Sequence, residues 1–182
     1  MIYTFLVTTS PAFGFLPELL LFGTEMGQIH GQVSFGLTSA VITTLGLMVG
    51  LHSGTHSRIV VLAGILTIAI ADAFSDALGI HISEEADSTR TAQQVWGATI
   101  VKFLTKCLFA LTFAIPVLFL SLSTAIIVSL IWGLSILTIL SYIIARSQGE
   151  PAWKIVGEHL IIASVVLAIT HWVGDWIGTL NA

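Results

Sequence analysis

Charge is scarce in this 182-residue chain, where only 9% of residues are Asp, Glu, Lys or Arg. A soluble domain carries about 25%. Six basic residues stand against ten acidic ones, for a formal net charge of −4. With no basic cluster, the chain has no footprint for nucleic acid. A single cysteine, Cys107, excludes an intrachain disulfide framework and reads as a core thiol in an apolar run. Glycine-rich phosphate loops, nucleophile elbows, HExxH and CxxC are all missing. Nothing therefore supports a hydrolase, a kinase or a haem protein, and no cofactor is implied. An enzyme survives only as a metal-dependent membrane enzyme using the carboxylates described below, so the expectation is a protein that is not an enzyme.

Apolar sequence is abundant: 55% of residues are hydrophobic and the mean hydropathy is +0.99. The apolar runs are about 18 to 25 residues long, which suits helices across a roughly 30 Å hydrocarbon core. Barrel strands would alternate over about 10 residues, and these runs do not. The expected fold is an all-α integral membrane protein with five transmembrane helices. Residues 1–31 form an apolar N-terminal segment, broken by Pro11, Gly14 and Pro17. It is either interfacial, with Glu18 and Glu25 in water, or a sixth span. No positive region precedes it, which argues against a cleaved signal peptide.

Residues 32–182 make the five-helix domain. Span one covers residues 34–51, where Gly36, Gly46, Gly50 and the threonines suit close helix packing. The stretch HSGTHSR then reads as a loop, with His52 and His56 as loop histidines that could bind a metal only if helical. Span two covers residues 59–82. A short acidic connection at 83–97 continues helical past the bilayer and turns near Gly97. Span three covers 101–120, with Lys102 and Lys106 at its start, free to snorkel to the interface. From Cys107 to Ala145 there are 39 residues without a charge, enough for two helices turning at LSLST. Spans four and five cover 124–145 and 156–180. Trp96, Trp132 and Trp153 read as interface anchors or core.

Arg90, Lys102, Lys106, Arg146 and Lys154 fall beside the 2–3 and 4–5 loops, and Arg58 alone beside the 1–2 loop. Five against one puts the 83–97 loop and the N-terminal side of span one in the cytoplasm, with the C-terminus outside.

The candidate chemistry centres on IADAFSDALGIHISEEAD, residues 70–87. Carboxylates at membrane depth are costly and point to function by default. Asp72 and Asp76 are i,i+4 and share a helix face, and Asp87 returns to nearly that face eleven residues after Asp76. An acidic line would run from inside the membrane to one surface, where Glu84, Glu85 and Asp87 collect cations. Hard divalent cations prefer such oxygen ligands. The competing reading is that Asp72 and Asp76 bond lysines or hydroxyls and hold the bundle together, and that the later acids are a solvated helix end. His81 beside them is a boundary residue. His171 and Asp175, again i,i+4, are either an outer site or proton relay, or an interfacial pair flanked by Trp172 and Trp176. Met48 could offer a soft sulfur but more simply packs.

GLTSAVITTLGLMVGL, then SRIVVLAG, then ADAFSDALGIHISEEAD resembles the first two spans of the vacuolar iron transporter family. That family reads like D-G-[IL]-[VT]-T, then S-R-x-V-x-x-x-G, then A-[DG]-x-x-S-M-x-x-G with acidic residues after it. Pro116 stands where the family has a proline late in span three, and RSQGEPAWKIVGEHLIIASVVLAITHWVGDWIG resembles its last loop and span. The resemblance covers residues 34–178. It implies a five-helix fold, usually dimeric, whose members export Fe²⁺ or Mn²⁺ from the cytosol in exchange for protons. The acids at the end of span two would gather the metal. Two positions depart from the pattern. The family's span-one Asp falls on Phe35, and its span-two Met falls on Asp76. A soft thioether is thereby lost, which weakens the case for iron in particular. The 2–3 connection also has room only for a reduced version of the family's metal-binding domain. The expected partners are the lipid bilayer, divalent metal ions and a second copy of the chain. The rival expectation is a non-transporting membrane scaffold of the same fold, contacting a partner protein through residues 1–31.

Overall fold

The computed structural model describes residue 34 and residues 36–180. Phe35 and the N-terminal segment, and the expectations attached to them, lie outside the described residues. The described part is an all-α membrane protein with no strand among its residues. Five stretches are long and apolar enough to cross a membrane: Gly36–Thr55, Arg58–Glu85, Ala92–Phe119, Leu122–Gln148 and Ala152–Thr179. The third is two helices in series, so the elements are α1 (Gly36–Thr55), α2 (Arg58–Glu85), α3 (Ala92–Thr112), α4 (Ala114–Phe119), α5 (Leu122–Gln148) and α6 (Ala152–Thr179). The break at Phe113 precedes Pro116, whose ring cannot sit against the carbonyl four residues back, at the end of α3.

The bundle is built around α1. Ala40, Val41, Thr44, Leu45 and Met48 are fully buried, so Met48 packs in the core. Leu47 and Leu51 of α1 meet α2 at Gly64, and Leu45 meets α5 at Gly133. Against α6 the backbones themselves touch. A Cβ on Gly174 would lie 2.2 Å from the Gly50 carbonyl oxygen, and one on Gly54 would lie 2.8 Å from that of Gly174. Gly46, Gly50 and Gly54 thus run in parallel register with Val166, Thr170 and Gly174, the small-residue packing that membrane helices use in place of a hydrophobic drive. Gly54 is therefore a contact residue, and α1 continues through His52 where the sequence suggested a loop. The helix stops at Thr55, and His56 adopts a left-handed φ of 50°.

The other buried faces are four-residue ladders. On α2 they are Val61, Ile65, Ala69, Ala73 and Ala77, and on α5 Ala125, Ser129, Gly133, Leu137, Ser141 and Ala145. Opposite faces present large apolar side chains outward, as lipid requires. α5 ends on Gly149 at φ 70°, where the N–H of Glu150 closes on the Ala145 carbonyl.

The connection between α2 and α3 turns earlier than expected. α2 stops at Glu85, and α3 starts on a capping box in which Thr91 and Gln94 exchange hydrogen bonds. The turn is at residues 86–91, well before Gly97. Nine residues thereby join the third span at its start, and Lys102 and Lys106 move from its edge to its middle.

Candidate functional site

Asp72 is fourteen residues from Arg58 and thirteen from Glu85, the middle of α2. Lys106 is fourteen residues from Ala92 and thirteen from Phe119, the middle of its span. At 1.5 Å per residue each lies roughly 20 Å from either end. The two lysines do not snorkel. Lys102 and Lys106 are 0% and 1% exposed, the largest side chains of the fully buried set.

Three helices each contribute an i,i+4 pair to one place: Ser39 and Thr43 from α1, Asp72 and Asp76 from α2, Lys102 and Lys106 from α3. The Lys106 ammonium lies 2.7 Å from Asp72 Oδ2, 2.8 Å from Asp76 Oδ2 and 2.9 Å from Ser39 Oγ. An ammonium has three N–H donors, and here each has an acceptor. Thr43 Oγ1 lies 2.8 Å from Asp72 Oδ2 and 2.9 Å from the Ser39 carbonyl, and so fixes that carboxylate against α1. Lys102 Nζ lies 3.6 Å from Asp76 Oδ2. α1 comes close at Gly36, where a Cβ would be 3.7 Å from the Lys102 side chain. Two carboxylates and two ammonium groups sum to zero, the arrangement that a low-dielectric site demands. The carboxylates keep 22% and 21% of their side-chain surface open, whereas the lysines are sealed.

The sequence singled out the aspartates, and its competing reading, that they bond lysines or hydroxyls, is what the geometry shows; it placed Lys102 and Lys106 at the interface and did not single out Ser39 or Thr43 as partners. The available signal was the shared four-residue spacing, with Thr91-x-x-Gln94 marking where α3 begins.

The other acids are placed apart from this cluster. Glu84 pairs with Arg90 at 3.0 Å, both largely buried. Asp87 has left the helix, so the acidic line ends at Glu85. Its carboxylate accepts from the Thr89 hydroxyl at 2.7 Å and the Thr89 N–H at 3.0 Å. Those two bonds, the hydroxyl's first, hold the Asp87 carboxyl below the usual carboxylate range. Glu85 is exposed, 4.0 Å from His81, whose Nδ1 faces Thr99 Oγ1 at 3.0 Å. Among the described residues no three His, Cys, Asp or Glu side chains stand together as a metal ion would need. Asp72 and Asp76 meet a cation, but it is the protein's own.

At the far end of the bundle, His171 Nε2 lies 3.5 Å from Asp175 Oδ2, and Ser53 Oγ of α1 donates to Asp175 Oδ1. His52 and His56 have ring centroids 5.5 Å apart. In α5 the buried Ser141 hydroxyl donates to the Leu137 carbonyl at 2.6 Å. Its oxygen therefore accepts from His159 Nδ1 at 2.7 Å, which fixes that tautomer.

Comparison with known proteins returns nothing: no family model, no curated protein and no solved structure matches the chain.

Proposed function

We propose that this chain is a cation transporter that exports a divalent metal of the Fe²⁺ or Mn²⁺ type in exchange for protons, with Asp72 and Asp76 as the cation site. The observation that carries this reading is the saturated Lys106 ammonium between two mid-span carboxylates. A position that holds a charged nitrogen on three oxygens is a cation position. A hard cation entering it must displace Lys106, which then gives up its proton. Competition between metal and proton for the same carboxylates is a physical basis for exchange. Glu85, exposed at the end of α2 beside His81, is the acid open to incoming metal, while Glu84 and Asp87 hold the turn.

The resemblance to vacuolar iron transporters supports the same reading, including a homodimer. Its loss of the thioether at Asp76 favours an ion content with oxygen ligands. Orientation follows the basic residues. With Lys102 and Lys106 inside the bundle, Arg90, Arg146 and Lys154 remain against Arg58. Three against one still puts the α2–α3 turn in the cytoplasm and the C-terminus outside.

The test is flux of Fe²⁺, Mn²⁺, Co²⁺ and Zn²⁺ into proteoliposomes with internal pH followed. Metal uptake with opposite proton movement, abolished in a folded Asp76→Asn variant, is expected. Normal transport by Asp72→Asn and Asp76→Asn would sink the assignment. One observation favours a second reading, the non-transporting scaffold: the four charges already neutralise one another. A stoichiometric partner that co-purifies, with no flux from the isolated protein, would establish it.

A further inference from the structure

The junction between the ends of α1 and α6 carries three imidazoles and one carboxylate. His52 and His56 come from α1 and the residue following it, and His171 and Asp175 from α6. His171 lies close enough to His52 for each to feel the other's charge. His52 Nδ1 is buried without a hydrogen-bond partner. Among the described residues the other elements at this end add only positive charge: Arg58, opening α2, donates to the Leu120 carbonyl at 2.6 Å, and neither α4 nor the first turn of α5 has a titratable group. Asp175 is already shared between Ser53 and His171. The seam beneath is close, backbone against backbone at Gly50, Gly54 and Gly174. Its exit is a two-residue link through His56 in the left-handed region, sparsely populated by residues with a side chain.

We propose that this junction is an acid-sensitive clamp, closed when the imidazoles are neutral and loosened when His52 and His56 take up protons. Imidazoles titrate near neutrality, so the charge at this end changes within the ordinary range. Among the described residues, protons on His52 and His56 find no second carboxylate and place like charges within the His52–His56 pair and across the seam. Touching backbones cannot yield gradually, so the repulsion separates the helix ends. This inference concerns α1 and α6 alone and does not depend on the transport reading.

Hydrogen exchange of the purified full chain, corrected for the intrinsic pH dependence, tests it between pH 7.5 and 5.5. Peptides covering residues 46–56 and 166–178 should exchange on the order of tenfold faster at the lower pH, while the α2–α3 turn does not change. His52→Gln with His56→Gln should abolish the response. His56→Gln alone, at an exposed side chain, should weaken it in a variant whose folding is undisturbed. Unchanged protection of the wild-type seam, or an equal loss in the variants, would overturn the clamp.

Discussion

Lys106 shows how a single side chain can decide what a membrane carboxylate pair is for. Its three N–H bonds go to Asp72, Asp76 and Ser39, so removing it leaves two neighbouring carboxylates facing the Thr43 hydroxyl and the longer contact from Lys102. Lys106→Met should cost about 3–5 kcal/mol, the usual penalty for stranding a buried charge. Adding Asp72→Asn should recover much of that loss, because it removes one stranded charge. Thermal unfolding in detergent reads both, and equal losses in the single and double variants would contradict the arrangement. At the turn, Asp87 has its folded pKa depressed. Its contribution to stability is therefore present above the ordinary carboxylate range and lost as pH falls through the depressed value. Thr89→Val should move the Asp87 titration back up toward the ordinary range, as seen by NMR. The aspartates were legible in sequence because charge inside an apolar run is conspicuous. The lysines were not, because long basic side chains near an apparent span boundary have an inexpensive alternative at the interface.

The elements were easier to read than their ends. Five spans follow from apolar length alone for residues 32–182, and five are present among the described residues. The start of α3 was misplaced because STRTAQQVWG is polar enough to resemble a loop, although it opens with a capping box. The end of α1 was misplaced because glycine beside polar residues suggests a turn. Here Gly54 answers a backbone on another helix, which sequence does not reveal. This distinction is testable on paired glycines. Gly174→Ala puts a methyl group against the Gly50 carbonyl oxygen and should lower the melting temperature by separating α1 from α6. Gly79→Ala meets nothing within 4 Å and removes a helix-weakening residue, a gain of about 1 kcal/mol. Similar melting temperatures for the two variants would contradict the seam.

For the molecule as a whole, α1 matters more than the acidic α2 around which the sequence is most naturally read. It carries the hydroxyls that hold Asp72 and Lys106, and it touches α2, α3, α5 and α6. On the proposed reading, a cation leaving or entering the centre would disturb the helix that every other described span packs on, which would couple chemistry at the site to helix positions. On that reading Lys106 stands where the transported cation goes. Lys106→Arg tests it most directly, because a guanidinium keeps the positive charge and the carboxylate contacts but does not give up its proton. Mn²⁺ flux and proton counter-movement should both be lost in proteoliposomes of Lys106→Arg, with the melting temperature near that of the wild type. Wild-type flux from that variant would show that the cation passes elsewhere and that Lys106 only holds the bundle together.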